Sequence, residues 1–415
     1  MTKIEQKFFD FIKKNIIPLF LLGVTVTGIV IRICGINFES DDYQSFLAGW
    51  WTVIESNGVS GLSEQVGNYN IPYQLITYVF TLLPLGPLYS YKTLSIIFDF
   101  VLAISAAMLV HSFSKNKSFF KAALTYALVL FSIPVVLNSS FWAQCDSIYV
   151  SFILLAIYFI QKDRNILSFV MLGISLAFKL QMIFILPVFL FYYIATRKVS
   201  ILHFLIIPAV DVIMCLPAIL LGRNPMDIIN IYVEQTDYGK LIQMNCPNFY
   251  ALICSGTDTN NYYLFKTLSI ILTFVVLAIA LVVIIYKNVD LKNKENFLLT
   301  AIWTIFTCIM FLSSMHERYT YLLDILTIIY SLTLCKRYWL PLVCNLISLR
   351  GYCYYLFAYE VFDLKTAAII FLAVYVYVTY IFIKDVIIDG KKLPTVEITP
   401  PENVTEETIQ EEITI

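Results

Sequence analysis

The run IIPLFLLGVTVTGIVIRICGI at positions 16–36, followed at 37–43 by NFESDDY, decides how the rest of the chain is read. An apolar run of this length crosses the roughly 30 Å of a bilayer's hydrocarbon as one helix. Asp41 and Asp42 then stand at a lipid boundary, where charge is expensive and usually has a task. Behind them come Phe46, Trp50, Trp51, Tyr69, Asn70 and Tyr73, a mixture suited to holding a polar molecule against an apolar surface. The stretch 38–73 reads as the active-site loop of a polytopic membrane enzyme.

Composition agrees with that setting. The chain has 415 residues, 59% hydrophobic and only 14% charged, with a mean hydropathy of +0.78, which excludes an ordinary soluble protein. With 28 basic and 29 acidic residues there is no basic field, so no nucleic-acid partner is expected. Lys3, Lys7, Lys13 and Lys14 precede the first run, but the run exceeds a signal peptide's apolar core and no small-residue cleavage site follows it. A retained first span is expected.

Further apolar runs cover about 90–112, 119–137, 147–161, 165–179, 182–196, 201–221, 262–286, 297–314, 319–335, 338–358 and 366–388. The fold expected is an all-α polytopic membrane protein with about 12 transmembrane helices, one transmembrane domain over 1–390. Runs four to six, about 15 residues each, are marginal in length. Loop charge gives a check independent of hydropathy. Starting from a cytoplasmic amino terminus, the inner connections carry Lys115 and Lys117, Lys162 and Arg164, Arg197 and Lys198, Lys287, Lys292 and Lys294, Lys336 and Arg337, and Lys384. The alternate connections, 37–89, 138–146, near 180, 222–261, 315–318 and 359–365, carry acidic, aromatic and amide clusters instead. Asn70 to Leu85, interrupted by Pro72 and Pro84, is expected as one or two helices lying at the outer surface. The acidic tail 391–415 reads as a disordered cytoplasmic segment. No internal repeat is visible.

Four outer clusters carry candidate chemistry. Adjacent carboxylates at Asp41 and Asp42 suit a proton acceptor, because like charges this close raise one pKa. A cation held between them is the metal reading, and a solvated turn the plain one. In 138–147, NSSFWAQCDS, Gln144 and Asp146 suit hydrogen bonds to hydroxyls and Trp142 suits stacking on an apolar face; a polar cap on the next helix is the plainer alternative. Lys179 and Gln181 lie where positive charge is scarce, so Lys179 suits a phosphate, or else snorkels to headgroups. In Met315-His316-Glu317-Arg318-Tyr319, His316 and Arg318 are phosphate donors, Glu317 can fix one of them, and no second histidine stands at position 320 to make a zinc-protease motif. The loop 222–261 holds Asp227, Glu234, Asp237, Tyr238, Lys240, Asn245, Asn248, Phe249 and Tyr250 and can cover the site. Its Cys246 and Cys254 either bridge in an oxidising compartment or stay reduced. Asp99, Asp211 and Asp324 fall inside apolar runs, where helix-to-helix hydrogen bonds or positions near an interface are the plain explanation.

Five motifs in order resemble the C-type superfamily of integral-membrane glycosyltransferases, and most closely bacterial membrane proteins described as related to the glycosylphosphatidylinositol mannosyltransferase 2 family. They are Asp42-Tyr43 with Phe46-Leu47 and Trp50; Asn68-Tyr69-Asn70 with Pro72-Tyr73; Trp142-Ala143-Gln144-Cys145-Asp146-Ser147; Phe178-Lys179-Leu180-Gln181; and Met315 to Tyr319. The resemblance implies a C-type glycosyltransferase fold and transfer of a monosaccharide, a hexose such as mannose or glucose, from a polyprenyl-phosphate sugar to a lipid-linked glycan or surface polymer, with inversion. It implies an active site on the outer face of the cell membrane and a loop aspartate as base, here Asp42 with Asp41 as fallback. Lys179, His316 and Arg318 would meet the donor phosphate. Tyr43, Trp50, Tyr69, Asn70, Tyr73, Trp142, Gln144, Asp146, Gln181, Glu317 and Tyr319 would bind substrate. Asp41 stands where such proteins often have a small residue, and Ile71 where they have a second proline. No cofactor is expected, since adjacent side chains seldom complete a hard cation's shell of about six oxygens, with divalent magnesium or manganese as the alternative. The competing class is a transporter or flippase for a lipid-linked sugar, which would carry polar groups at mid-membrane depth.

Overall fold

Hydrocarbon offers no water to a backbone N–H or C=O, so an apolar run must close its hydrogen bonds on itself. Each of the twelve runs is helical in the computed structural model, which describes residues 1–114, 116–236, 239–254 and 261–394. Among the described residues there is no strand. Six helices of the described residues are long and apolar enough to cross a membrane: Ile16–Gly35, Pro87–Phe113, Ile201–Leu220, Tyr262–Tyr286, Lys294–Phe311 and Leu364–Ile388. Phe119–Leu130 and Ile133–Phe141, bent by 52° at their break, make a seventh where the pair acts as one span. The remaining runs form Asp146–Ile160, Asn165–Phe178, Leu180–Thr196, Tyr321–Leu334 and Trp339–Phe357.

The expected twelve full-length crossings are therefore met by length and composition in six or seven. Asp146–Ile160 and Asn165–Phe178 rise only about 21 to 23 Å at 1.5 Å per residue, because each yields its end to a polar turn, 137–145 or 179–181. Both are held inside the bundle. Ser168 donates to the Ala156 carbonyl and Ser175 to the Tyr149 carbonyl, each at 2.8 Å. Helix Asn165–Phe178 also meets Ile206–Leu220 at Gly173, where a Cβ would stand 2.6 Å from that of Val210. Small residues let helix backbones approach in this way.

Charges within the helices are fastened to neighbours. The Arg32 Nε meets Asp99 Oδ2 at 2.7 Å, an Arg32 Nη donates to the Leu130 carbonyl, and Ser139 donates to Asp99. Asp211 accepts from Asn70 and Tyr232, both at 3.1 Å, and Asp324 from Ser348 at 2.7 Å. All three acids therefore make helix-to-helix or helix-to-loop bonds.

The basic connections gather at one end of the bundle. Lys292 pairs with Asp163 at 2.8 Å, Lys294 donates to the Ser112 carbonyl, Asn165 to the Lys198 carbonyl, and Arg337 pairs with Asp385. The acidic and aromatic connections meet at the opposite end. There the first loop contributes helices Ala48–Asn57 and Ile71–Thr81, the second capped by Asn70 with Pro72 in its first turn, so the stretch Asn70 to Leu85 holds a single helix that ends at Thr81. The loop 222–261 contributes Asp227–Thr236 and Phe249–Ile253. Cys246 and Cys254 are not bridged to each other. Lys115, Asp237, Tyr238 and the tail from 395 onward lie outside the described residues.

Candidate active site

The Asp42 loop is set by what closes the first helix. The carbonyls that end helix Ile16–Gly35 lack intrahelical partners, and the buried Lys92 ammonium takes that of Gly35 at 2.8 Å together with two just past the helix, Ile36 at 3.1 Å and Phe38. A cation at a helix C-terminus also suits the helix dipole. Phe38 then packs between Phe141 and Phe357. Ser40 donates to the Trp142 carbonyl at 3.1 Å and accepts from the Tyr43 N–H. A π-helical turn, Tyr43–Leu47, follows, and another, Leu137–Phe141, precedes Trp142; such turns are frequent at functional sites.

Three donors meet the Asp42 carboxylate. Trp142 Nε1 and Gln144 Nε2 reach Oδ2 at 2.7 and 2.8 Å, and the Tyr355 hydroxyl reaches Oδ1. A carboxylate offers about four lone-pair positions, so one remains, on Oδ1. Trp142 stacks on Tyr355 with centroids 4.1 Å apart, and the Arg318 guanidinium lies 5.5 Å from the Trp142 ring. Gln144 Oε1 accepts from Tyr69 at 2.7 Å and from Arg318, tying the first loop to the link before Tyr321–Leu334.

A second cluster lies beside it. Lys179 forms a buried ion pair with Asp146, whose other oxygen accepts from Asn138 at 2.6 Å and lies 3.9 Å from Arg318. The ammonium sits 5.8 Å from the Tyr69 ring centroid and 6.0 Å from that of Tyr149. Gln181 Oε1 and Arg318 Nε are buried without a hydrogen-bond partner among the described residues.

A cavity of about 400 Å³ joins these groups. Asp42, Trp50, Tyr69, Trp142, Gln144, Lys179, Gln181, His316, Glu317, Arg318 and Tyr319 line it, with apolar wall from Phe46, Ile183, Phe184, Ile270 and Leu312. Trp50 lies over Gly67, whose φ of +78° and whose room for no Cβ (2.6 Å from the indole) require glycine.

Other expected residues fall elsewhere. Asp41 is exposed and does not line the cavity, so the two acids do not converge on a common point. Among the described residues no three His, Cys, Asp or Glu side chains form a metal-binding group, and the oxygens of Asp42 face N–H and O–H donors rather than further acids. Tyr43 and Tyr73 are buried in the apolar cluster around Trp51 and Tyr91. Asn70 spends its amide on Asp211 and Tyr232. Asp146 stands behind Lys179, outside the wall. Tyr355 and Lys92 are functional candidates that sequence reasoning missed. Lys92 had a signal, as a lone ammonium in an apolar run. Tyr355 had a weaker one: Tyr352 and Tyr355, three apart on a helix, both pack on Trp142.

Burial, followed by the Arg318 charge, pushes His316 down from 6.5 to about 3, so its imidazole is neutral near pH 7 and offers one N–H. Burial pushes Glu317 up from 4.5 to about 7, against a backbone hydrogen bond and Arg318, which lower it. Between these values the folded protein holds a proton on Glu317 that the unfolded chain releases. This contribution to stability is fully present below about pH 4.5 and is lost as pH rises to about 7. Glu317→Gln is expected to remove that part of the pH dependence, and thermal unfolding of both proteins across pH 4.5–7.5 checks it; parallel curves would contradict the assignment.

The chain matches no protein-family model, and a comparison with curated proteins likewise finds no match.

Proposed function

We propose that this chain is an integral-membrane glycosyltransferase of the C-type superfamily, with twelve crossings and its cavity on the outer face of the cell membrane. In this reading it moves a hexose from a polyprenyl-phosphate sugar to a lipid-linked glycan or surface polymer. The observation that carries it is the Asp42 carboxylate, oriented by Trp142, Gln144 and Tyr355 with one lone-pair position left, in the same part-apolar cavity as Arg318 and Lys179. An acceptor hydroxyl at that position loses its proton to Asp42 as its oxygen attacks the anomeric carbon. The bond to the phosphate oxygen breaks on the opposite side, which inverts the centre. The leaving phosphate is already anionic and needs no acid, only donors for its growing charge; Arg318 Nε, the His316 N–H and Lys179 supply them. Tyr69, Trp50 and Gln181 hold the sugar, and the apolar wall accepts the start of the lipid.

Transport of a lipid-linked sugar fits less well, because Asp99, Asp211 and Asp324 are bonded to neighbouring helices and loops instead of lining a path through the bundle. The test is transfer of label by the purified protein in liposomes from a panel of radiolabelled polyprenyl-phosphate hexoses, with and without chelator. Labelled glycan with chelator present is the expected result; consumption of none of the donors would overturn the reading.

A further inference from the structure

We propose that the amino-terminal helix Lys3–Lys14 is an interfacial foot that binds the anionic surface of a lipid bilayer. The helix is well formed, with a Thr2–Glu5 capping box, yet none of its residues is buried. Ile4, Phe8 and Phe11 are 81%, 58% and 57% exposed. At 100° per residue, Ile4, Phe8, Phe11 and Ile12 share one face, and Lys3, Lys7 and Lys14 form a row along its edge. An apolar stripe bordered by lysines is the pattern of a helix lying in the headgroup region.

The position of the helix supports this occupant. It is joined through Asn15 to Ile16–Gly35, one of the helices long and apolar enough to cross a membrane. That helix runs beside Phe119–Leu130, with Thr25 bonded to Tyr126 and Arg32 to the Leu130 carbonyl. Its Ile16 end therefore lies near Phe119, at the end of the bundle where the basic connections gather. Phe119, Phe120, Tyr338 and Trp339 are exposed there, 70%, 67%, 56% and 40%, close to Lys121 and Lys336. Aromatic rings at helix starts with lysines beside them mark a membrane interface. The foot thus meets a lipid surface at its own level, and the lysine row selects the anionic one. This inference does not depend on the sugar-transfer reading.

The test is amide hydrogen exchange, read by mass spectrometry on peptides covering 3–14, with the whole protein in nanodiscs of phosphatidylcholine alone or of equal phosphatidylcholine and phosphatidylglycerol. A lysine near an anionic surface contributes roughly fivefold in binding, and Glu5 and Asp10 offset part of the row. Exchange about tenfold slower in the anionic discs is expected. A variant with Lys3, Lys7 and Lys14→Gln is expected to lose that difference, and Phe8→Ser with Phe11→Ser to exchange fast in both lipids. Peptides from Asp146–Ile160 report that each variant is folded. Equal exchange of the wild type in both lipids, or a difference that survives the lysine replacements, would overturn the proposal.

Discussion

Replacing Asp42 with asparagine is expected to lower the turnover of sugar transfer by about 10²- to 10⁴-fold while leaving the fold and donor binding in place. The asparagine oxygen can take the position of Oδ2 and accept from Trp142 and Gln144, and its amide can donate to the Tyr355 hydroxyl. Shape survives and the base does not. Asp41→Asn is expected to keep turnover near that of the wild type, since Asp41 is exposed outside the cavity. Initial rates at saturating donor, with thermal unfolding as a control, separate the cases. A fully active Asp42→Asn protein would remove Asp42 as the base.

The second large effect concerns the buried pair. Lys179→Met leaves the Asp146 carboxylate buried with Asn138 at 2.6 Å and Arg318 at 3.9 Å, a partial replacement for the lost ammonium. Breaking a buried pair from one side costs about 3–5 kcal/mol, most of it from the stranded charge; the remaining partners put Lys179→Met near the lower end. Adding Asp146→Asn removes that charge, so the double variant is expected to recover a large part of the stability. Unfolding of both variants in the same detergent checks this. A double variant no more stable than Lys179→Met would show that the pair is not the source of the loss. Activity should stay low in both, because Lys179 also lines the cavity.

The helices were legible because their cause is local: an apolar run in hydrocarbon has few alternatives to a helix. Bounds such as 262–286 agree with Tyr262–Tyr286. The alternation of basic and acidic loops was legible for a similar reason, and the contacts sort those loops to opposite ends. The site was legible as a set of loops, since Asp42, Gln144, Lys179 and Arg318 do share a cavity. What each side chain does was not. Lys179 reads as a free cation in sequence, and its partner Asp146 lies 33 positions away. Asn70 reads as a sugar ligand, whereas Asp211, 141 positions on, claims its amide. Tyr355 bonds Asp42 across 313 positions, a juxtaposition set by helix packing that no local pattern encodes.

A cavity that joins a sugar to an acceptor consumes its donor in one leaflet, whereas one that moves a lipid carries the donor across the membrane. The most direct measurement uses proteoliposomes in which a radiolabelled polyprenyl-phosphate hexose and the acceptor are confined to the leaflet that the cavity faces, reading both the labelled glycan and the leaflet of the remaining donor. The expected result is labelled glycan, with the sugar's anomeric configuration inverted, while unreacted donor stays in its leaflet. Donor that crosses to the other leaflet with no glycan formed would contradict sugar transfer.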